Sequence, residues 1–407
     1  YVNINMIKFN KYNTNVFNFL IEKKKVILPK KNDNEINNIY QYIFYAIHNS
    51  VNLVNNSKLF YNKKVIQSYN HGELINSSFV PSKIKSYIIN SSNTINITSK
   101  YNINNKEFNI NLFSYKDISN KKIESYLKNI NILIIFLLKI QDHICLEDLT
   151  IYIYLTPFKK LLPKKKGCIL EPYHINTGVT RPCQKSSEIV IYREEEWFKL
   201  LVHESLHVFG IDFSLIDNLT NKELLKELFY IKSSFLINET YCETCARLIN
   251  AAFVSYYKIN NFKNIKNIND KVNKFNIVYS KLINIERFYS IHQMNIILNY
   301  YNINYKDLIS NNIQTKNIVC NKYGEKTNVF CYYVLTAILL NNYLDFFKWC
   351  NTNNNYIFNF YKEKKNIDLF IDLIISNHNN KELFGILDCL NELDLNNKSL
   401  KMSCLSL

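Results

Sequence analysis

The residues best suited to chemistry in this sequence lie in the stretch LVHESLHVFGIDF, residues 201–213. His203, Glu204 and His207 form the pattern H-E-x-x-H, and two His residues four positions apart on a helix project from one face. Two such imidazoles can bind one Zn²⁺, and the Glu between them can reach a water on the metal. Because so short a pattern also arises by chance, the flanking residues must decide between a metal site and a surface turn.

The flanking residues favour a buried helix. Glu194 to Glu196 would occupy its first turn, where the helix dipole favours carboxylates, and Gly210 falls where a left-handed C-cap is expected. Apolar residues fill most of the other positions. Burying two imidazoles and a carboxylate without partners is costly, and a metal that binds both rings removes that cost. We therefore predict a zinc site with His203 and His207 as ligands and Glu204 as general base.

A catalytic zinc site needs a third protein ligand. One arrangement adds a His three residues after a Gly, but Phe213 occupies that position here and cannot bind a metal. The stretch NETYCETCARLIN, residues 238–250, instead offers Glu239 and Glu243, four residues apart on a second helix. This stretch resembles the N-E-x-x-x-[D/E] element of the thermolysin-like zinc peptidases, the gluzincins. The resemblance implies that Glu239 binds zinc and that Glu243 orients a ligand His, and the opposite choice between the two carboxylates stays open.

With zinc bound, the predicted chemistry is peptide hydrolysis, in which Glu204 takes a proton from the attacking water and passes it to the leaving amine. A donor must also stabilise the oxyanion, and the alternatives are His174, Tyr241 and His292. The strand EIVIYR, before the motif helix, is predicted to form the edge along which a peptide substrate lies.

A wider resemblance covers about residues 150–380, where HINTGVT, the motif helix, NETYCETCARLIN and TNVFCYYVLTAILLNNYLDFFKWC follow one another. These stretches are similar to proteins of giant cytoplasmic DNA viruses that are assigned as zinc metallopeptidases. The resemblance implies a zincin fold, peptidase chemistry by endo- or carboxypeptidase action, and residence in host cytoplasm or in a virion.

Composition limits the other functional classes. The 407 residues are 47% hydrophobic and 21% charged, which is typical of a globular protein, and the net charge of +16 suits an acidic partner. One alternative is therefore a virion or scaffold component that keeps a zincin fold and binds an acidic partner. Nucleic-acid binding is permitted by charge but supported by no motif. We expect no membrane span and no secretory signal, because no apolar run is long enough and the first residues lack a basic, then apolar segment.

Cysteine and glycine positions add two expectations. Ten cysteines without regular spacing predict no disulfide framework, and Cys242 and Cys245 are expected to be buried free thiols in a reducing compartment. Only six glycines occur in a sequence biased towards Asn, Lys, Ile and Tyr. Gly178 and Gly210 are therefore expected to need backbone angles that only glycine tolerates.

The pattern of apolar residues predicts an α+β fold with a zincin-like catalytic core. Three regions are expected: a helix with antiparallel strands over 1–118, the core with the metal site over 119–260, and a helical region over 261–407. Residues 1 to about 30 are predicted to form an arm or an irregular strand. The predicted elements are helices at Asn34–Asn56 and about Ser119–Gln141, antiparallel strands over Ser82–Ser114, and strands at Thr150–Leu155 and Ser187–Arg193.

Overall fold

The computed structural model describes residues 33–67, 71–141, 145–216, 219–260, 267–392 and 397–407, together with residues 18 and 22. The predicted N-terminal arm therefore lies outside the described residues, apart from those two positions. The described part of the chain contains fourteen α-helices and one six-stranded mixed sheet. This confirms the α+β class, whereas the zincin-like core stays a prediction.

The sheet combines antiparallel and parallel pairing. Its order is β1-β2-β3-β4-β6-β5, in which β3, β4 and β6 are parallel and the other neighbours are antiparallel. The predicted edge strand EIVIYR is β6, and it lies inside the sheet between β4 and β5, so that prediction was wrong. The edge beside the motif helix is β5, a strand too short to show periodicity. The strands are β1 Asn62–Ile66, β2 Thr94–Ile103, β3 Lys106–Ser114, β4 Asp148–Leu155, β5 Gly178–Thr180 and β6 Ser186–Ile191.

The helices before the motif mostly follow the predicted pattern. Helix α1, Asn34–Asn55, begins where the Asp33 side chain accepts a hydrogen bond from the Ile36 N–H, and α3 covers Asn120–Lys139. The first residues of the predicted strand span instead form α2, Ser82–Asn90. Ile84 and Ile88, four residues apart, are both buried there, so a helical period outweighs the apparent alternation.

Helices dominate the chain after the sheet, as predicted. A six-residue π-helical segment, Phe330–Leu335, leads directly into α11. No described helix is long and apolar enough to cross a membrane. The remaining helices are α4 Pro172–Ile175, α5 Trp197–Val208, α6 Leu219–Phe229, α7 Ile237–Asn260, α8 Ile268–Tyr300, α9 Tyr305–Leu308, α10 Ile313–Lys322, α11 Thr336–Asn341, α12 Tyr343–Asn353, α13 Lys364–Asn377 and α14 Lys381–Asn391.

One continuous hydrophobic core includes residues of all three predicted regions, from α1 through the sheet and α5 to the C-terminal segment. Helix α5 packs between the strands β5 and β6 on one side and α7 on the other, and α7 packs in turn against α8. A smaller cluster, which includes α2 residues, covers the opposite face of the sheet. The motif helix is therefore fixed by tertiary packing on several sides, while the predicted domain boundaries stay predictions.

The cysteines differ from expectation at one pair. Cys145 and Cys183 form a disulfide, with Cα atoms 5.1 Å apart, and the other eight cysteines form no disulfide. The prediction of free thiols holds for Cys242 and Cys245, which are buried. Because disulfides are uncommon in reducing compartments, the cysteines no longer indicate one. Sequence spacing did not reveal this pair, since 38 residues separate its members.

The two glycines singled out by composition serve different purposes. Gly210 has a φ of +63°, as predicted for a left-handed cap, and a Cβ there would lie 2.8 Å from Cys145 Sγ. Gly178 has no positive φ, so the expected reason was wrong. A Cβ on Gly178 would lie 2.9 Å from the Val190 carbonyl and 3.3 Å from Glu204 Oε1. Glycine is needed there because the strand approaches the motif helix closely.

Candidate metal centre

The motif helix starts later than its sequence suggests. Helix α5 begins at Trp197, and Glu196 before it adopts a left-handed conformation with φ 59°. Glu194 pairs with Lys116 and Lys122, with the shorter of the two contacts at 2.7 Å. The predicted first-turn carboxylates were therefore placed wrongly, because ion pairs to other parts of the chain outweigh the modest attraction of a helix dipole.

All twelve residues of α5 are buried, His203, Glu204 and His207 included. Full burial follows from the position of α5 between the sheet and α7, which leaves no face for solvent. Helix α7 presents Glu239 in its first turn and Glu243 one turn later. Helices α5 and α7 thus carry every residue that the sequence predicted as a metal ligand.

Three side-chain atoms converge between these helices. His203 Nε2 lies 3.1 Å from Glu239 Oε2 and 3.3 Å from His207 Nε2, and His207 Nε2 lies 3.7 Å from the same Glu239 oxygen. These three residues form a group that could hold a metal ion. We call them the metal group. The carboxylate in it is Glu239, the first of the two that the sequence offered.

The spacing of the three atoms can be tested against an ion. Tetrahedral coordination with bonds of about 2.0–2.2 Å separates neighbouring ligand atoms by about 3.3–3.6 Å. The observed separations of 3.1, 3.3 and 3.7 Å scatter closely around that range. The metal group therefore fits a small four-coordinate ion with little movement, and it leaves a fourth position for a non-protein ligand.

The second nitrogen of each ring faces a carboxylate. His207 Nδ1 lies 2.8 Å from Asp212 Oδ2, and His203 Nδ1 lies 3.2 Å from Glu243 Oε2. The His207 contact is a hydrogen bond, and a carboxylate at Nδ1 favours the tautomer whose Nε2 lone pair is available to a metal. The His203 contact is a close approach without hydrogen-bond geometry. Both Nε2 atoms point into the metal group. Glu243 therefore lies beside the His203 ring, where the resemblance expects a carboxylate that orients a ligand His, and that role stays a prediction.

Burial and charge set the protonation of the carboxylates. Burial acts to raise the pKa of Glu239, but the charge of His207 and the hydrogen bond with His203 outweigh it and lower that pKa below its ordinary value. For Glu204, burial dominates and raises the pKa, against the opposing charges of the two His rings. Glu239 is therefore held as an anion, as a metal ligand must be, while Glu204 is easier to protonate, as a proton acceptor must be.

A second group of possible ligands, His207, Asp212 and Cys242, shares a residue with the first. Its imidazole atom is Nδ1, which already contacts Asp212 and lies 3.6 Å from Cys242 Sγ. Burial raises the pKa of the Cys242 thiol well above its ordinary value, so the thiolate that a metal requires is disfavoured. Asp212 and Cys242 are better explained as supports of the His207 ring.

A small cavity adjoins the metal group. Its volume is about 40 Å³, and its walls include Glu204, His203, Tyr332, Thr177 and Met402. The Tyr332 hydroxyl also donates a hydrogen bond of 3.1 Å to Glu239 Oε2, so this phenol lies at the ligand set itself. The cavity is where a reacting group would meet Glu204.

The predicted oxyanion donors are not among the residues that line this cavity. His174 Nδ1 accepts the backbone N–H of Glu171 within its own turn. The Tyr241 hydroxyl donates to the Phe358 carbonyl inside an aromatic cluster, and His292 is buried on α8. The structure therefore brings together His203, Glu204, His207, Glu239 and Glu243 but leaves these three elsewhere.

Two residues at the site were missed by sequence reasoning. Tyr332 is 93 residues from Glu239 and lies on the π-helical segment, and no motif marks it, although π-helical turns often occur at functional sites. Asp212 had a usable signal: it follows Gly210, whose left-handed conformation turns the chain back. The Ile211 N–H donates to the Leu206 carbonyl in that turn, which brings Asp212 next to His207.

No protein-family model, curated protein or solved structure matches this chain. The family resemblance drawn from the motifs therefore stays an expectation, and the functional argument depends on the geometry of the metal group and its cavity.

Proposed function

We propose that this chain is a zinc-dependent peptidase. The carrying observation is the convergence of His203 Nε2, His207 Nε2 and Glu239 Oε2 at separations of 3.1 to 3.7 Å, with Glu204 on the adjoining cavity. Two nitrogens, one carboxylate oxygen and one free position are the ligand set of catalytic zinc in hydrolases, whereas structural zinc sites usually have four protein ligands. The adjoining cavity, which Glu204 and His203 line, gives a reacting group a place beside the metal group.

The carboxylate of Glu204 would do the proton transfer. When bound, zinc supplies a water with a pKa lowered towards ~7 and polarises the carbonyl to be attacked. Glu204 accepts a proton from the attacking water and then donates it to the leaving amine nitrogen. Burial raises the pKa of Glu204 in the metal-free site, which strengthens the carboxylate as the acceptor of the water's proton.

The phenol of Tyr332 is the best-placed group to stabilise the oxyanion. It lines the cavity and lies at Glu239, whereas His174, Tyr241 and His292 do not line it. Burial raises the pKa of Tyr332 well above its ordinary value, so the hydroxyl keeps its proton and can donate it in a hydrogen bond. We therefore assign to Tyr332 the role that sequence reasoning gave to the other three.

The substrate would be a peptide that lies along β5. Within the described sheet, β5 pairs only with β6, so its other edge can accept a peptide strand. Thr177 and Gly178, at the start of β5, line the cavity beside Glu204. The net charge of +16 favours the approach of acidic peptides. A viral origin and a cytoplasmic or virion location remain proposals from motif resemblance alone.

The test uses the full chain and its Glu204→Gln variant, each prepared with zinc. Both should bind about one zinc per chain, and the variant should hydrolyse peptides about 10²–10⁴-fold more slowly, because only the proton acceptor is lost. Metal content is measured by atomic absorption and hydrolysis with a quenched-fluorescence peptide library. Zinc bound by both proteins with no hydrolysis by either would refute the peptidase and favour a scaffold that retains the metal.

A further inference from the structure

The cavity beside Glu204 is small for a peptidase site. Its volume of about 40 Å³ compares with ~10–15 Å³ for one water by a similar measure and ~150 Å³ for a cavity that holds benzene. It therefore has room for a few non-hydrogen atoms but not for an aromatic or branched side chain. Because the reacting group must also enter it, the side chains next to the scissile bond are restricted.

The wall that limits this cavity comes from the C-terminal segment, residues 397–407. Met402 lines the cavity, and its Sδ lies 3.5 Å from Lys199 Nζ on the motif helix. The backbone N–H groups of Met402 and Ser403 donate to the buried Glu196 carboxylate at 3.1 and 2.6 Å. The Leu400 N–H also donates to the Lys160 carbonyl at 3.0 Å. Main-chain hydrogen bonds from Leu400, Met402 and Ser403 therefore hold the segment in place.

These contacts make Met402 a fixed wall. The hydrogen bonds run through the backbone of the segment, so its position does not depend on the Met402 side chain. Met402 is 4% exposed and Leu400 is fully buried, which leaves little freedom for the segment to swing aside. Because its backbone is fixed, the Met402 side chain limits the depth of the cavity beside Glu204.

The remaining walls indicate which small groups fit. Leu200 and Ile175 give the cavity apolar walls, against which the hydrogen atom of a substrate glycine or the methyl group of an alanine would fit. Thr177 lines the same cavity, and its hydroxyl is buried with no hydrogen-bond partner among the described residues. A buried hydroxyl without a partner costs roughly 1–3 kcal/mol, so a substrate that supplies one is favoured. A serine side chain meets both the size limit and this need.

We propose that the site selects peptides with glycine, alanine or serine at a position flanking the scissile bond, and that Met402 is the residue that sets this limit. The inference rests on the proposed peptidase function and specifies its substrate class. Larger residues at that position would collide with Met402 or Leu200, and in a pocket of this kind one extra methylene changes kcat/KM by about 10–200-fold.

The test uses one peptide sequence with Gly, Ala, Ser, Leu or Phe at each position flanking the scissile bond. For the zinc-loaded protein, kcat/KM at one position should be at least about 10-fold higher for the three small residues than for Leu and Phe. Met402→Ala should raise the ratio of kcat/KM for Leu to kcat/KM for Gly about 10-fold. Met402→Leu, which conserves volume, should keep the preference for small residues. Leu200→Ala enlarges the cavity from the helix side and provides a second variant.

Binding provides a readout that needs no turnover. In the Glu204→Gln background, Kd values of the same peptides should follow the same size order, and adding Met402→Ala should remove it. Hydrolysis of Leu and Phe peptides as fast as of Gly peptides would overturn the selectivity and leave the peptidase standing. An unchanged order of kcat/KM values in both Met402→Ala and Leu200→Ala would also overturn the proposed selectivity and leave the peptidase standing. No hydrolysis of any peptide by the zinc-loaded protein would refute both proposals.

Discussion

Two clusters of ionisable side chains lie along the motif helix and are held together differently. The first cluster lies at the start of the motif helix, and we call it the ionic network. It consists of two groups of ion pairs, Glu196 with Lys160 and Glu243 with Lys199 and Arg247. Every one of these charges faces an opposite charge, and all five side chains are at most 1% exposed. Near its end, the metal group brings two imidazole nitrogens and a carboxylate oxygen together.

The difference shows what a metal would add. In the ionic network three cations contact two carboxylates, so each buried charge has an opposite charge beside it without a metal. The metal group places three atoms with lone pairs within 3.7 Å of one another, and its rings are aligned by carboxylates on their far side. A cation satisfies all three atoms at once. One cluster pairs its own charges, and the other could hold a metal ion.

Glu243 belongs to both arrangements. It lies 3.0 Å from Lys199 Nζ and 2.8 Å from Arg247 Nε, and it also lies 3.2 Å from His203 Nδ1. The ionic network therefore fixes the carboxylate that orients a metal ligand. Variants that separate the two clusters should reveal how far binding depends on this shared residue.

Loss of the Glu243 charge should give the largest effect. Glu243→Gln removes the carboxylate that both Lys199 and Arg247 contact, which should lower the free energy of unfolding by about 3–5 kcal/mol. Urea unfolding of the metal-free protein measures this separately from metal binding. Glu107→Gln is the control, because Glu107 pairs with Lys100 on the surface and should cost at most about 1 kcal/mol. Equal costs in the two variants would contradict the structural role of the network.

Loss of the Tyr332 hydroxyl should act on turnover more than on the zinc content of protein prepared with excess zinc, although the hydroxyl also donates to Glu239 Oε2. Tyr332→Phe should lower kcat by about 10²–10³-fold, with zinc content unchanged, if the phenol stabilises the oxyanion. The neighbouring residue provides a matched control, since the Tyr333 hydroxyl donates instead to the Leu400 carbonyl. Tyr333→Phe should leave kcat near that of the natural protein. A similar loss in both variants would show that the effect comes from packing.

The ionic network should also appear in the pH dependence of stability. Burial acts to raise the pKa of Glu196, but the charges of Lys160 and Lys199 outweigh it and lower that pKa to about 2. A lowered pKa stabilises the folded state above the unfolded value of 4.5, and this stabilisation is lost as pH falls towards 2. It amounts to something on the order of 3 kcal/mol.

Glu196→Gln should therefore unfold more readily at neutral pH but show a flatter dependence of its unfolding free energy between pH 4.5 and 2. Urea titrations at several pH values measure the slope for both proteins. Identical slopes would mean that the carboxyl is not held as an anion by its lysines.

Loss of Asp212 should give the smallest effect and should be confined to the metal group. Asp212→Ala removes the acceptor 2.8 Å from His207 Nδ1 and should weaken zinc binding about 10–100-fold. Competition with a chelator of known affinity measures the change in Kd. Ser214→Ala is the control, because Ser214 donates to the other Asp212 oxygen at 3.0 Å and leaves the His207 contact in place. An unchanged Kd in Asp212→Ala would exclude this supporting role.

Much of the fold followed from residue patterns, and the exceptions have physical causes. The helix predicted at Asn34–Asn56 is present at Asn34–Asn55, because its apolar residues recur at helical spacing over several turns. The strand predicted at Ser82 was wrong because the short segment SKIKSYIIN fits both periods, and packing against the sheet selects the helix. The edge strand β5 has three residues and therefore no periodicity to detect.

The sequence by itself predicted the two His residues of the metal group and limited its carboxylate to Glu239 or Glu243, because His203 and His207 share a helical face and the two Glu residues share another. Such spacing is a local property of one helix and survives any arrangement of the others. Only the tertiary structure decided that Tyr332 and Met402 meet Glu204, that β5 forms the edge, and that Cys145 joins Cys183. These contacts join residues that are far apart in the chain, and the packing of the whole core determines which of them meet.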